Sequence, residues 1–133
     1  MGEIVSERWD VAKGDELEKR LIDFGVRVIR LCHKLPKEAA GTHIGGQLLR
    51  SGTAPGAHYA EARGAESTRD FIHKLKIALK ELNESRVWLT MIRDSELIPA
   101  NRMDDLLTEC DQLCRIISAS IKTAKASQTN QQS

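Results

Sequence analysis

Phe71, Leu75, Ala78, Leu82, Ser85, Leu89 and Ile92 recur at alternating steps of four and three residues. A helix turns about 100° per residue, so these positions return to one side and draw a single inward seam. Ser67, with Asp70 three residues later, supplies a capped start. The same rhythm runs through Leu17, Leu21, Phe24, Val28, Leu31 and Leu35, and again through Met103, Leu107, Cys110, Cys114, Ile117, Ile121 and Ala124. Asp15 with Glu18 is read as the capping box of the first of these helices. Pro36 ends it near Lys34, because the residue before a proline is driven out of helical geometry. The last helix follows Pro99, with Asn101 as the expected cap and Asp104 at its third position. Seams of this kind joined by connections of a few residues require antiparallel neighbours, hence an all-α, up-down-up-down four-helix bundle.

The remaining helix is expected from about Thr42, anchored inward by Ile44, Leu48 and Leu49. Gly45, Gly46, Gly52, Gly56, Ala54, Ala57, Ala60 and Ala62 make it unusually small-sided. An interior glycine costs a helix about 1 kcal/mol, and close approach of a neighbouring backbone is the compensating reason. Pro55 removes a hydrogen bond to Ser51 and favours one helix kinked near residues 50–52 over two segments split by a turn. Gly64 is expected to end it as a left-handed cap. The bundle then occupies residues 15–124, between a loose segment 1–14, where Trp9 is expected to dock, and a polar tail, 125–133, too poor in apolar side chains to order itself.

Composition narrows function mostly by exclusion. The 133 residues make one domain. With aromatics at 4%, the core must be aliphatic. No apolar run reaches the roughly 20 residues of a membrane span, and the N-terminus lacks a secretory layout. Three cysteines inside helical patterns point to reduced thiols and a cytoplasmic setting. Twenty Lys and Arg stand against 19 Asp and Glu, a net charge of +1, so any nucleic-acid binding must come from a local patch.

Unwrapping the helices leaves apolar side chains outside the seams. Ile77 and Trp88 fall about 100° to 120° from Phe71, beside Lys74, Glu81 and Glu84, while Leu106, Leu113 and Ile116 extend the last helix past its seam. Together with the glycine-rich helix, this surplus favours self-association through those five residues.

Chemistry is sparse. His33, His43, His58 and His73 form no pair at metal-ligand spacing, and Cys110 and Cys114 occupy consecutive seam positions, where cysteine packs as a small hydrophobe. The Glu-x-x-His pairs of a di-metal bundle are absent. No cofactor, metal or catalytic residue is therefore assigned. Arg50, Tyr59, Glu61 and Glu81 are read as a polar network serving the backbone groups freed at Pro55. Arg69, His73, Lys76 and Lys80 lie about 140° to 200° from Phe71, a basic stripe opposite the seam that Arg63 would extend. Such a stripe either follows a phosphate backbone or is an ordinary solvated face.

The segments LLRSGTAPGAHYAEARGAES and DFIHKLKIALKELNES, with FGVRVIRLCHKLPK before them and LLTECDQLCRIISASIKT after, resemble the 23S ribosomal RNA intervening-sequence proteins, a bacterial family of small four-helix bundles. Arg50, Ser51, Ala60, Glu61, Phe71, Leu75 and Glu84 match that family's pattern, while His58 and Ala54 depart from it. The resemblance implies a homopentameric ring, an RNA partner and no catalytic residues. A more distant resemblance, to the accessory protein of diversity-generating retroelements, implies a reverse transcriptase as the alternative partner. The combined expectation is a non-enzymatic cytoplasmic bundle that binds structured RNA through basic outer faces. An interaction scaffold is the rival.

Overall fold

The computed structural model describes the backbone of residues 2–132 and the side chains of residues 11–130. Four α-helices follow one another: α1 (Gly2–Lys34), α2 (Ala39–Arg63), α3 (Thr68–Asp94) and α4 (Asp104–Gln132), with a 3-10 turn at Ala100–Arg102 before the last. Among the described residues there is no strand. Helix α2 packs on both α1 and α3, and α3 on α4, whereas α1 and α4 meet only sparingly. The seams are the core: Leu21, Phe24, Val28, Leu75, Leu82, Leu89, Ile92, Met103 and Ile117 are essentially inaccessible to solvent.

Helix α2 runs unbroken through the buried Pro55. Its glycines let α1 approach. A Cβ on Gly52 would fall 2.7 Å from Val28 Cγ2, and Gly25 of α1 faces the Gly52 carbonyl and Thr53. On the opposite flank the hydroxyls of Ser51 and Ser85 lie 2.9 Å apart, and Ser85 also donates to the Glu81 carbonyl at 2.9 Å. These two buried serines let α2 and α3 close together without an orphaned polar atom.

Helix boundaries depart from the sequence reading in instructive ways. Ser67 caps α3 as expected, accepting from the Asp70 amide at 3.0 Å, and α1 ends at Lys34. Asp15 caps nothing, because α1 is already helical from Gly2. The absence of proline across residues 2–34 lets the backbone ladder continue past the apolar seam. The same holds for α4, helical through Gln132 although 125–127 are exposed. Of the segments expected to be irregular, residues 2–14 and 125–132 are therefore extra helical turns. The side chain of Trp9, expected to dock, lies outside those described. Asn101 sits in the 3-10 turn, and α4 starts at Asp104, with Asp104 and Asp105 placing negative charge at its positive end. Gly64 has φ −94°, so it is not a left-handed cap. Among the described residues the left-handed position falls instead on Glu96, with φ 57°, just after α3.

Candidate functional site

Arg69, His73, Lys76 and Lys80 are all exposed on the outer side of α3, and none of them makes an ion pair among the described residues. The geometry follows from spacing alone: steps of four, three and four hold the four side chains on one line about 16 Å long. Lys74, one position from His73, turns aside and is spent on Asp70 at 3.2 Å. Lys80 ends the stripe near Glu84, whose carboxylate it helps to hold charged. Beyond it the same outer face becomes apolar at Val87 and Met91.

Arg63 does not extend this stripe. Its guanidinium lies 2.9 Å from Asp15 and 3.5 Å from Glu18, and it also reaches the Val11 carbonyl. The arginine thus closes the α1–α2 edge, and the two carboxylates that neutralise it are those read from the sequence as a cap.

The expected polar network divides. Arg50 reaches across from α2 to α3, binding Glu81 at 3.0 Å and forming a second ion pair with Glu84. Glu84 in turn accepts from Trp88 Nε1 at 3.3 Å, and the edge of His43 meets the Trp88 ring with centroids 6.1 Å apart. Glu84 and Trp88 were missed as members, although Glu84 lies one turn from Glu81 and was within reach of the i, i+3 rule. Arg50 bonds side-chain carboxylates, so its role is to clamp α2 to α3, not to serve the backbone at Pro55. Tyr59 belongs elsewhere, beside Arg63 at the end of α2, and burial pushes its hydroxyl pKa up. Glu61 is exposed and joins neither group.

The hydrogen bond from Arg50 holds the Glu84 carboxyl below its usual range, with burial opposing and Trp88 assisting. A carboxyl lowered in the folded state stabilises at pH values above its unfolded pKa, and that contribution disappears as pH falls through the lowered value. Glu84→Gln is therefore expected to melt below the parent at pH 7, with the gap closing as acid titrates the parent carboxylate. Paired thermal melts from pH 7 to pH 3 measure this. A gap that persists at pH 3 would place the effect in packing instead.

The five apolar residues expected at a self-association surface are mostly consumed within the protomer. Leu113 is fully buried and Leu106 is 6% exposed, while Ile77, Trp88 and Ile116 are half-buried, the last two packed against the core. The reason is geometric. A helix with neighbours on two sides buries a stripe wider than its own seam, and Leu106 and Leu113 occupy the flank that completes α4. Large apolar side chains are exposed elsewhere: Ile22, Val26 and Ile29 on α1, Leu49 on α2, and Val87 and Met91 on α3.

At one end of the bundle α1 and α4 diverge around a cleft of about 710 Å³, floored by Leu17, Tyr59, Phe71 and Ile116. Arg20 spans the gap as a strut, bound to Glu109 and, at 3.0 Å, to Gln112. Cys110 donates to the Leu82 carbonyl at 3.3 Å. The adjacent Cys114 thiol, together with burial, pushes its thiol well above the ordinary cysteine range. Among the described residues no three His, Cys, Asp or Glu side chains gather as a metal ion would need. None of their helices is long and apolar enough to cross a membrane.

Comparison with known proteins adds family and fold. The profile of the 23S rRNA-intervening sequence proteins matches residues 16–119. The chain is also similar to a solved structure from Bacteroides thetaiotaomicron VPI-5482, a protein of unknown function from the S23 ribosomal protein family. The two are 34% identical with a TM-score of 0.77, over 83% of this chain and 98% of that one. No curated protein matches.

Proposed function

Because this chain belongs to the 23S rRNA-intervening sequence protein family, we propose that it is a non-enzymatic, self-associating bundle that binds structured RNA by charge. The observation that carries the reading is the line of Arg69, His73, Lys76 and Lys80, exposed and, among the described residues, free of ion pairs, while Arg20, Arg50, Arg63 and Lys74 are all engaged by carboxylates. Cations left unneutralised on one helix face are placed to displace counterions from a phosphate backbone. The line carries no Phe, Tyr or Trp for base stacking, so recognition rests on shape and charge rather than on base identity. One stripe of this length binds weakly. Copies gathered in a ring, five in the form implied by the family resemblance, repeat the stripe and raise its effective affinity through avidity.

The test is the salt dependence of binding to a structured ribosomal RNA fragment. The parent's affinity should fall steeply with salt, and Lys76→Glu with Lys80→Glu should flatten the logarithmic slope by about 2, one unit per lost phosphate contact. Equal affinities for parent and double variant would remove the stripe from the binding surface. The rival reading docks a protein, such as a retroelement reverse transcriptase, on Trp88 and its neighbours. It predicts association indifferent to salt and abolished by Trp88→Ala. With its indole already held by Glu84 and met by His43, Trp88 offers a partner less surface than a free indole would.

A further inference from the structure

Helix α1 carries a second seam. Ile22, Val26 and Ile29 are spaced four and three, about 120° to 180° around the helix from Leu17, and their exposures of 53%, 36% and 39% place them on the outer face. Leu49 of α2, 42% exposed, lies on the neighbouring helix face. Thr53 and Ala57 beside it are short, and a Cβ on Gly46 would meet nothing within 4 Å, so this part of α2 stays low. The result is a ridge with an open shoulder, the shape that admits one more helix. The positions that continue the seam outward are Lys19 and His33, which confines the apolar contact to three layers.

Two charges flank these layers on the side away from Gly25, the residue that faces α2. Asp23 and Arg30 are exposed, seven residues apart, and neither has an ion-pair partner among the described residues. Seven residues is two turns, so both project from the same edge of the seam. Laid antiparallel on a second copy about a two-fold axis near Val26, the helix sets each Asp23 against the partner's Arg30 and interdigitates the three apolar layers. A parallel arrangement would instead place this edge of the two copies on opposite sides of the contact and leave both charges unpaired.

We infer that the outer face of α1 is a self-complementary docking surface for α1 of a second copy, in antiparallel register, sealed by reciprocal Asp23–Arg30 pairs. The inference deepens the proposal that copies associate, and it rests on that proposal. A like-on-like contact closes in pairs. It therefore joins two protomers whether each is single or already part of a ring.

Light scattering during size exclusion, at about 50 µM chain, reads the outcome as mass. Val26→Asp changes an exposed position, and circular dichroism and melting verify that the bundle persists. Its expected particle has half the parent's mass. Asp23→Arg is expected to weaken pairing at least tenfold, and Asp23→Arg with Arg30→Asp to restore it, a rescue available only to the antiparallel register. An associated parent whose mass is unmoved by Val26→Asp overturns the α1 contact and leaves self-association standing. A parent of 14.8 kDa removes self-association itself. Absence of rescue with Val26→Asp still dissociating overturns the antiparallel register.

Discussion

Gly41→Ala is expected to lower stability by about 2 to 3 kcal/mol and the melting temperature by about 10 °C. Gly41 is buried in the first turn of α2, directly after the bend forced by Pro36, and a Cβ there would fall within the envelope of the Pro36 carbonyl oxygen. Backbone cannot step aside as a side-chain tip can, so the bend or the start of α2 must move. Alanine's helix propensity returns about 1 kcal/mol of the loss. Gly46→Ala isolates that propensity gain, because its added methyl meets nothing within 4 Å and should stabilise by up to about 1 kcal/mol. Gly52→Ala falls between them. Its methyl would press on Val28, a β-branched side chain with no solvent exposure and little rotamer freedom. Thermal or denaturant melts of the three variants should rank them in that order. Gly41→Ala melting with the parent would mean that the α1–α2 bend gives way more cheaply than its packing indicates.

Those three glycines also mark how far the sequence was legible. The excess of small residues on α2 implied a close neighbour, and Gly52 against Val28 is that contact. Which glycine matters most depends on where the chain returns after Pro36, a tertiary fact invisible to periodicity. Core seams were readable because each is a repeat within one helix, needing no knowledge of the others. Helix ends were less so. Asp15 and Glu18 have capping chemistry, yet their partner is Arg63, 45 or more residues away, and no local rule distinguishes the two uses of a carboxylate. The polar clusters failed for the same reason in reverse. Arg50, Tyr59 and Glu61 are grouped with Glu81 around the Pro55 kink; the structure keeps the Arg50–Glu81 pair, adds Glu84 and Trp88 to it by helix pairing, and leaves Tyr59 and Glu61 out. The basic stripe was readable because four exposed positions on one helix need only the 3.6-residue period, although removing Arg63 from it required the fold.

Leu113→Ala gives the second large effect, and it decides between two meanings of an apolar side chain outside its helix's seam. If Leu113 served an interface between copies, truncation would loosen assembly and leave the protomer's own unfolding nearly unchanged. Its side chain is instead fully buried within a single protomer, on the flank of α4 beyond Cys110 and Cys114. Removing three methyl or methylene carbons there costs the transfer energy and leaves a cavity that tight neighbours fill poorly, together about 2 to 5 kcal/mol. The loss should be the same at low and high protein concentration, because nothing about it involves a second chain. Val26→Asp should behave oppositely, altering particle mass while scarcely changing the unfolding of a dissociated protomer. Denaturant melts of both variants at two concentrations a hundredfold apart separate the cases. A Leu113→Ala loss that grows on dilution would return that residue to the surface between copies, and would mean that α4 lies differently against α1 than the fold described above.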